Sequence, residues 1–287
     1  AFEFAYNHGE ISWPWLTLGN GFLFSIRLVQ WYDITGVFGG SLWILLVNVL
    51  LYELLRRLRA GRHKRSQLSI MLALVLLLLV PITLSLVRYS SYREKINPRE
   101  MVVVQPNIDP YLKFNDIPSI EQTAIQVHLA GERITDSTNY VVCPETSISN
   151  GIWIGRFYQV EDLKYVTGIM CYQRYTEEEK TKTARPFGNS DYYYDSFNSA
   201  IQIDTTDVVP IYHKSMLVTG VEKMPYTWLF KPIEKLMLKL GGIFRSHGIQ
   251  EERAIFAAPD DSISIAPVIC YESVFGEYLT GYIRNGA

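Results

Sequence analysis

Two apolar runs of membrane-spanning length, separated by a basic decapeptide, limit what this chain can fold into more than any other feature. The first extends from about Gly36 to Leu55 and the second from about Leu68 to Val87. Each is about 20 residues, the length an α-helix needs to cross a hydrocarbon core of roughly 30 Å. The first run carries Asn48 and Glu53; the second contains none of Asp, Glu, Lys or Arg. Soluble cores seldom hold two adjacent helices that are apolar on every face, so transmembrane helices are the expected reading. Between the runs, residues 56–65 hold six Lys or Arg. Such a loop belongs on the cytoplasmic side of a membrane. A nucleic-acid patch is the rival reading, but the place between two spans argues against it. The net charge of −2 leaves no overall basic footprint for nucleic acid either. With the loop inside, residues before about Asp33 and after about Arg88 fall on the far side, which in a bacterium is the periplasmic face of the inner membrane.

The N-terminal stretch has neither a basic start nor an apolar core, so it is not a signal peptide. Residues 1–32 read as a periplasmic or interfacial segment. Within it, Ile11–Gly21 carries Trp13 and Trp15, whose rings suit a membrane–water boundary. Because Ala1 stands where a Met would be expected, the chain reads as a piece of a longer multi-pass protein with earlier membrane segments. Residues 33–96 make up the two spans and their loop, and residues 97–287 a separate catalytic domain.

From residue 100 onward, short β-type runs alternate with polar helical stretches. Candidate strands are Met101–Gln105, Tyr140–Cys143, Tyr165–Tyr172, Ser196–Ile203, Asp207–Tyr212 and Ser262–Ile269. Ile120–Thr135 has helical spacing behind Pro118-Ser119, which reads as its N-terminal cap. Alternation of this kind favours an α/β sandwich. Thr176–Pro186 is a charged surface loop. The three cysteines, Cys143, Cys171 and Cys270, show no CxxC spacing, which argues against a zinc site or a disulfide framework. No metal and no cofactor is expected.

Three motifs end β-type runs with a reactive side chain. In Val141-Val142-Cys143-Pro144-Glu145-Thr146-Ser147 a strand delivers Glu145 to its end. In Tyr212-His213-Lys214-Ser215-Met216 it delivers Lys214. In Ser264–Glu277 a β-type run ends at Cys270 and a polar, helix-starting segment follows. A cysteine at such a turn can be ionised by a nearby cation or base and act as a nucleophile. Taken singly, each has a plain structural explanation: a first-turn acid on a helix, a solvated lysine, a buried free thiol. His213 neighbours Lys214, but adjacent strand residues face opposite ways, so a Cys–His pair is not expected.

The order Glu145, Lys214, Cys270 resembles the carbon–nitrogen hydrolase (nitrilase) superfamily, which uses a Glu-Lys-Cys triad on an αββα sandwich. Nitrilase domains with membrane spans in front of them resemble one branch, the apolipoprotein N-acyltransferases. The likeness runs through the Trp13-Pro14-Trp15-Leu16 segment, Ile34–Gly39, Val104-Gln105-Pro106-Asn107, Pro144-Glu145-Thr146, His213–Val218 and Cys270-Tyr271-Glu272. It implies a nitrilase-like sandwich, C-terminally incomplete here because family members continue with further strands and a last membrane helix. It also implies Glu145 as general base, Lys214 as oxyanion stabiliser and Cys270 as nucleophile, with Glu222 and Glu272 in support. The backbone N–H of Tyr271 is a second oxyanion donor. One departure stands out: the family has Pro-Phe-Gly before the first supporting glutamate, and this chain has Thr219-Gly220-Val221. The position of the Glu222 carboxylate therefore does not follow from the resemblance. The implied reaction moves an acyl chain from a phospholipid, such as phosphatidylethanolamine, to Cys270 as a thioester. From there it passes to the N-terminal amine of a diacylglyceryl-cysteine lipoprotein.

Residues 223–250 fit a lipid-directed lid. Tyr226, Trp228 and Phe230 precede an amphipathic stretch with Lys235 and Lys239 at i,i+4. Such a segment can lie in an interface with its lysines toward water; an ordinary surface helix is the alternative. Two other functions share parts of the pattern: a membrane-tethered amidase hydrolysing a C–N bond, and an inactive membrane scaffold.

Overall fold

The computed structural model describes residues 2–61, 64–94, 96, 98–148, 163–206, 208–230, 246–257 and 263–287. The chain packs as two units, Ala1–Ile96 and Asn97–Ala287.

In the first unit a short helix α1 (Phe2–Asn7) and three 3-10 turns lead into α2 (Tyr32–Arg59) and α3 (Lys64–Ser91). Both long helices have the length and composition to cross a membrane, and few of their residues are buried within the protein. Leu42, Leu45, Leu72, Leu76 and Leu79 present bare apolar surface, which a soluble core helix would cover. The helices outrun the expected spans at both ends. The backbone of α2 breaks at Gly36 (φ 64°), so its regular part starts where the apolar run starts. At the other end Arg56 and Arg57 bond the Glu53 carboxylate at 2.7 and 2.6 Å. Much of the basic stretch is thus helix end rather than loop, and Glu53 is neutralised within one turn. The ends of the pair are tied by an Asp33–Arg88 ion pair and by Gln30 N–H donating to the Ser85 hydroxyl at 3.0 Å.

Pro81 interrupts α3. A proline has no N–H, so the carbonyl four residues earlier loses its helical donor. That carbonyl belongs to Leu77, and the indole N–H of Trp43 on α2 donates to it at 2.7 Å. The 3-10 turn Leu18–Phe22 lies close on α2. Gly19 N–H donates to the Ser41 hydroxyl at 3.0 Å, and a Cβ on Gly19 would stand 2.0 Å from the Val37 carbonyl oxygen.

The second unit is mixed α/β. Strands β1 (Glu100–Val103), β2 (Thr138–Val142) and β3 (Lys164–Tyr175) are parallel. Beyond them β5 (Tyr193–Ile203) pairs antiparallel with β3, and β4 (Arg185–Pro186) and β6 (Ile211–His213) both pair with β5. Helices α4 (Pro110–Asn115) and α5 (Ser119–Gly131) connect β1 to β2, the crossover that parallel neighbours require. A separate hairpin, β7 (Phe256–Ala257) with β8 (Ser264–Ile265), and helices α6 (Thr227–Phe230) and α7 (Gly276–Arg284) complete the described elements. Successive strand residues go to opposite faces. Tyr140 and Val166 pack with Phe256, Ile269, Tyr278 and Tyr282, whereas Val141 packs with Val104, Ala130 and Leu163. The sheet is therefore covered by α5 on one side and by α7 and the hairpin on the other.

Several boundaries differ from expectation for local reasons. Ser119 is the first helical residue of α5, and Pro118 holds the cap position without a side-chain bond. The last expected strand shrinks to β8, because Pro267 lacks an N–H for a ladder and Val268 N–H turns back to the Ala266 carbonyl at 2.9 Å. The strand before Lys214 is β6 rather than Asp207–Tyr212; Asp207 itself lies outside the described residues.

Candidate active site

Two of the three sequence-selected side chains, Glu145 and Cys270, leave their elements at irregular points, and Lys214 continues a strand ladder. After β2 the Cys143 N–H still bonds the Val166 carbonyl at 2.9 Å. The chain then swings off the sheet through Pro144, Glu145 and Thr146, and rejoins β3 at Ile148, which bridges to Ile169. Thr146 has φ 50°, a left-handed conformation uncommon for a β-branched residue. The detour lifts Glu145 off the sheet. Gly168 on β3 leaves room for it: a Cβ there would meet Thr146 N at 2.5 Å and Glu145 Cα at 2.7 Å. Lys214 follows β6 and continues the ladder, its N–H donating to the Asn198 carbonyl at 2.8 Å. Cys270 heads the 3-10 turn Cys270–Val274 with φ 45°. Backbone strain of this kind clusters at active sites.

These groups converge. The Lys214 ammonium, on a side chain 1% exposed, bonds Glu145 Oε1 at 3.1 Å and Glu222 Oε1 at 2.8 Å. The Glu145 carboxylate lies close enough to the Cys270 thiol to raise its pKa. Glu222 is held by the Val218 N–H, which donates to its Oε2 at 2.8 Å. Glu272 is fully buried and ties two arms of the site together. Its Oε1 accepts from Ser215 N–H at 2.7 Å and Tyr212 O–H at 2.5 Å, and its Oε2 from Ile269 N–H at 2.8 Å. Through it the end of β6, carrying Lys214, is fixed to the turn carrying Cys270.

The electrostatics separate the roles. Burial pulls the Lys214 ammonium toward neutrality, but the Glu222 hydrogen bond and the Glu145 charge outweigh it and hold its pKa above the ordinary value. Burial likewise pushes Glu222 up, and Lys214, Val218 N–H and Asn198 outweigh it, so its pKa lies below the usual carboxylate range. Both stay charged at neutral pH. Partial burial, then the Glu145 charge, push the Cys270 thiol up against the opposing pull of Lys214. The cation is already matched by two carboxylates, so the thiol rests protonated and a base must take its proton. Burial also pushes up the other two thiols, Cys143 to about 11 and Cys171 in the same direction. His213 stacks on Phe197 at 4.3 Å and its Nδ1 bonds the Ser199 hydroxyl at 2.6 Å.

One participant was missed in the sequence. Asn198, in the middle of β5, donates its amide to Glu145 Oε1 and, at 3.1 Å, to Glu222 Oε1. Its only sequence signal is a polar residue at an inward strand position beside Phe197. Among the described residues, no group of three or more His, Cys, Asp or Glu could hold a metal ion.

The profile of the apolipoprotein N-acyltransferase N-terminal domain matches residues 1–50. A Chlorobaculum tepidum protein named apolipoprotein N-acyltransferase is 26% identical, over 99% of this chain and 56% of its own length. A Geobacter metallireducens protein of the same name is 27% identical over 96% of this chain and 50% of its own. One from Rickettsia prowazekii is 23% identical over 93% and 50%. The chain is related to the apolipoprotein N-acyltransferases. It spans about half the length of the curated relatives it matches. At Thr219-Gly220-Val221, where the sequence departs from the family, the backbone turns tightly and the Glu222 carboxylate faces Lys214. Gly220 takes φ 86° and Thr219 bridges to Lys223.

Of the expected lid, residues 231–245 lie outside the described residues. Before them, Tyr226 takes φ 46° ahead of α6, which ends at Phe230. Trp228 is 75% exposed and Leu229 and Val221 are also exposed.

Proposed function

We propose that the second unit is a nitrilase-like catalytic domain that transfers an acyl chain from a phospholipid to the N-terminal amine of a diacylglyceryl-cysteine lipoprotein. The observation that carries this reading is the buried Lys214 ammonium bonded to Glu145, whose carboxylate also meets the Cys270 thiol. The names of the relatives support N-acyl transfer to an apolipoprotein, and the resemblance of the motifs supports the phospholipid donor.

The geometry supports the following sequence of steps. Glu145 takes the thiol proton and the Cys270 sulfur attacks the ester carbonyl carbon. The Lys214 ammonium and the Tyr271 N–H stabilise the oxyanion, each such donor contributing about 10²–10³ in rate. Collapse breaks the C–O bond, the leaving alkoxide takes the proton from Glu145, and lysophospholipid departs from a Cys270 thioester. The acceptor amine then attacks the thioester carbonyl. Glu145 removes the amine proton, the C–S bond breaks, and the thiolate recovers that proton as the amide leaves. Asn198 and Glu222 keep Glu145 and Lys214 in place through both halves. With 56–65 cytoplasmic, this chemistry takes place on the periplasmic face of a bacterial inner membrane, and Tyr226, Trp228 and Phe230 belong to a lid that admits acyl chains.

The test is intact mass spectrometry of the purified protein after mixing with phosphatidylethanolamine vesicles. A hydroxylamine-sensitive acyl adduct on Cys270, absent from Cys270→Ser, is expected. No adduct on the wild-type protein, with release of ammonia from small amides or nitriles, would replace this reading with that of an amidase.

A further inference from the structure

Lys113, on α4, points its ammonium at the backbone that carries Glu145. Its Nζ donates to the Thr146 hydroxyl at 2.9 Å and to the Glu145 carbonyl oxygen at 3.3 Å. Thr146 is the left-handed residue of the turn, so the lysine grips the strained point itself. Burial draws the Lys113 ammonium toward neutrality, and the charge of Glu145 opposes that. The ammonium thus lies in the field of the catalytic carboxylate. Lys113 stands beside the Glu145–Lys214–Glu222 cluster as a second ammonium.

The elements behind Lys113 are fixed in turn. Gln122 of α5, fully buried, donates to the Lys113 carbonyl at 2.6 Å and to the Ile117 carbonyl at 2.8 Å. One turn on, Gln126 donates to the Ser147 carbonyl at 3.2 Å. From the sheet side, the missing side chain of Gly168 admits the turn, and its N–H donates to the Pro144 carbonyl at 3.3 Å. Nothing in the sequence singled out Lys113, a lysine in a six-residue helix 32 residues before Glu145.

We infer that Lys113 is a positioning residue of the active site: it clamps the Glu145–Thr146 turn from the helix side and so aims the Glu145 carboxylate at the Cys270 thiol. This rests on the reading of Glu145 as the base for Cys270. Misplacing a base by about 1 Å can cost about 10²-fold in rate, so loss of the clamp acts on the rate and leaves substrate binding alone.

The experiment measures alkylation of Cys270 by iodoacetamide in the purified full-length protein, site by site by peptide mass spectrometry. This readout requires no lipid. Lys113→Met is expected to slow alkylation of Cys270 about tenfold with an unchanged melting temperature. Lys113→Arg, which keeps a cation in reach of both acceptors, should recover to within about threefold of wild type. Thr146→Val removes one acceptor and should slow the reaction severalfold. In thioester formation from phosphatidylethanolamine, Lys113→Met should lower kcat and leave KM unchanged. Wild-type alkylation rates in Lys113→Met and Thr146→Val, or no recovery with Arg, would overturn the inference. If Lys113→Met does not fold, Thr146→Val and Lys113→Arg decide it. Failure of the acyltransferase reading looks different: the alkylation pattern persists while no phospholipid forms a thioester.

Discussion

Lys214 is a buried cation shared by two carboxylates, and the sharing governs the pH range over which the site exists. Glu222 has a folded-state pKa below its ordinary 4.5. Its contribution to stability is therefore present above about pH 4.5 and disappears as pH falls through the folded value. Lys214 has a folded-state pKa above its ordinary 10.5. Its contribution is complete below that and disappears as pH rises through the folded value. Between these limits the pair is intact. Glu222→Gln is expected to destabilise the protein by about 1.5–3 kcal/mol near pH 7, the range for hydrogen bonds to charged groups. The gap in melting temperature between it and wild type should shrink below about pH 4.5. A gap that stayed constant down to pH 3 would show that Glu222 carries no structural charge. At this scale the sequence is readable where a reactive residue ends a β-type run, as at Glu145, Lys214 and Cys270. It is silent on Asn198 and Lys113. Each lies inside an element with its own structural reason to exist, and its meaning comes from which strand or helix lies beside it.

Among the elements, α3 shows how a helix tolerates a proline in an apolar setting. Pro81 leaves the Leu77 carbonyl without a helical donor, and Trp43 supplies one from α2. In hydrocarbon no water can take that place. Trp43→Phe is expected to weaken the α2–α3 pair by about 0.6–1.7 kcal/mol, the range for single interhelical hydrogen bonds in membranes. Pro81→Ala restores the N–H, so in that background the same substitution should cost measurably less. Thermal unfolding of the four variants in micelles checks this; additive effects would mean that the indole bond and the proline are unrelated. Length and apolarity gave the spans nearly to their ends, but the composition of one helix does not disclose which neighbour completes its backbone. A proline likewise shortens the last expected strand of the second unit. The run before Cys270 is β-rich by residue type, yet Pro267 cuts it to two paired residues, Ser264 and Ile265.

Across the whole molecule, the split into an apolar unit and an α/β unit was readable from composition, because lipid and water select different residues. The strand order β1-β2-β3-β5-β4 was not, because register is a property of pairs distant in sequence. That order has a bearing on time. The ladder between β3 and β5 joins eleven residue pairs, from Tyr165 with Ile203 to Tyr175 with Tyr193, and it closes within a single hairpin. The bonds from Glu272 to Ser215 and Tyr212 span 57 and 60 residues. The contact of Cys270 with Glu145 spans more than twice that. Local pairings form sooner than distant ones. The β3–β5 pairing that supplies Gly168 and Asn198 is expected to assemble first, and Cys270 to meet Glu145 last. Pulse-labelled hydrogen exchange during refolding should protect the amides of Thr167, Ile169 and Cys171, which face β5, before that of Ser215; the opposite order would refute it. A newly made chain would then carry Cys270 as an ordinary thiol until its final long-range contact closes, so that reactivity arrives only with the finished fold.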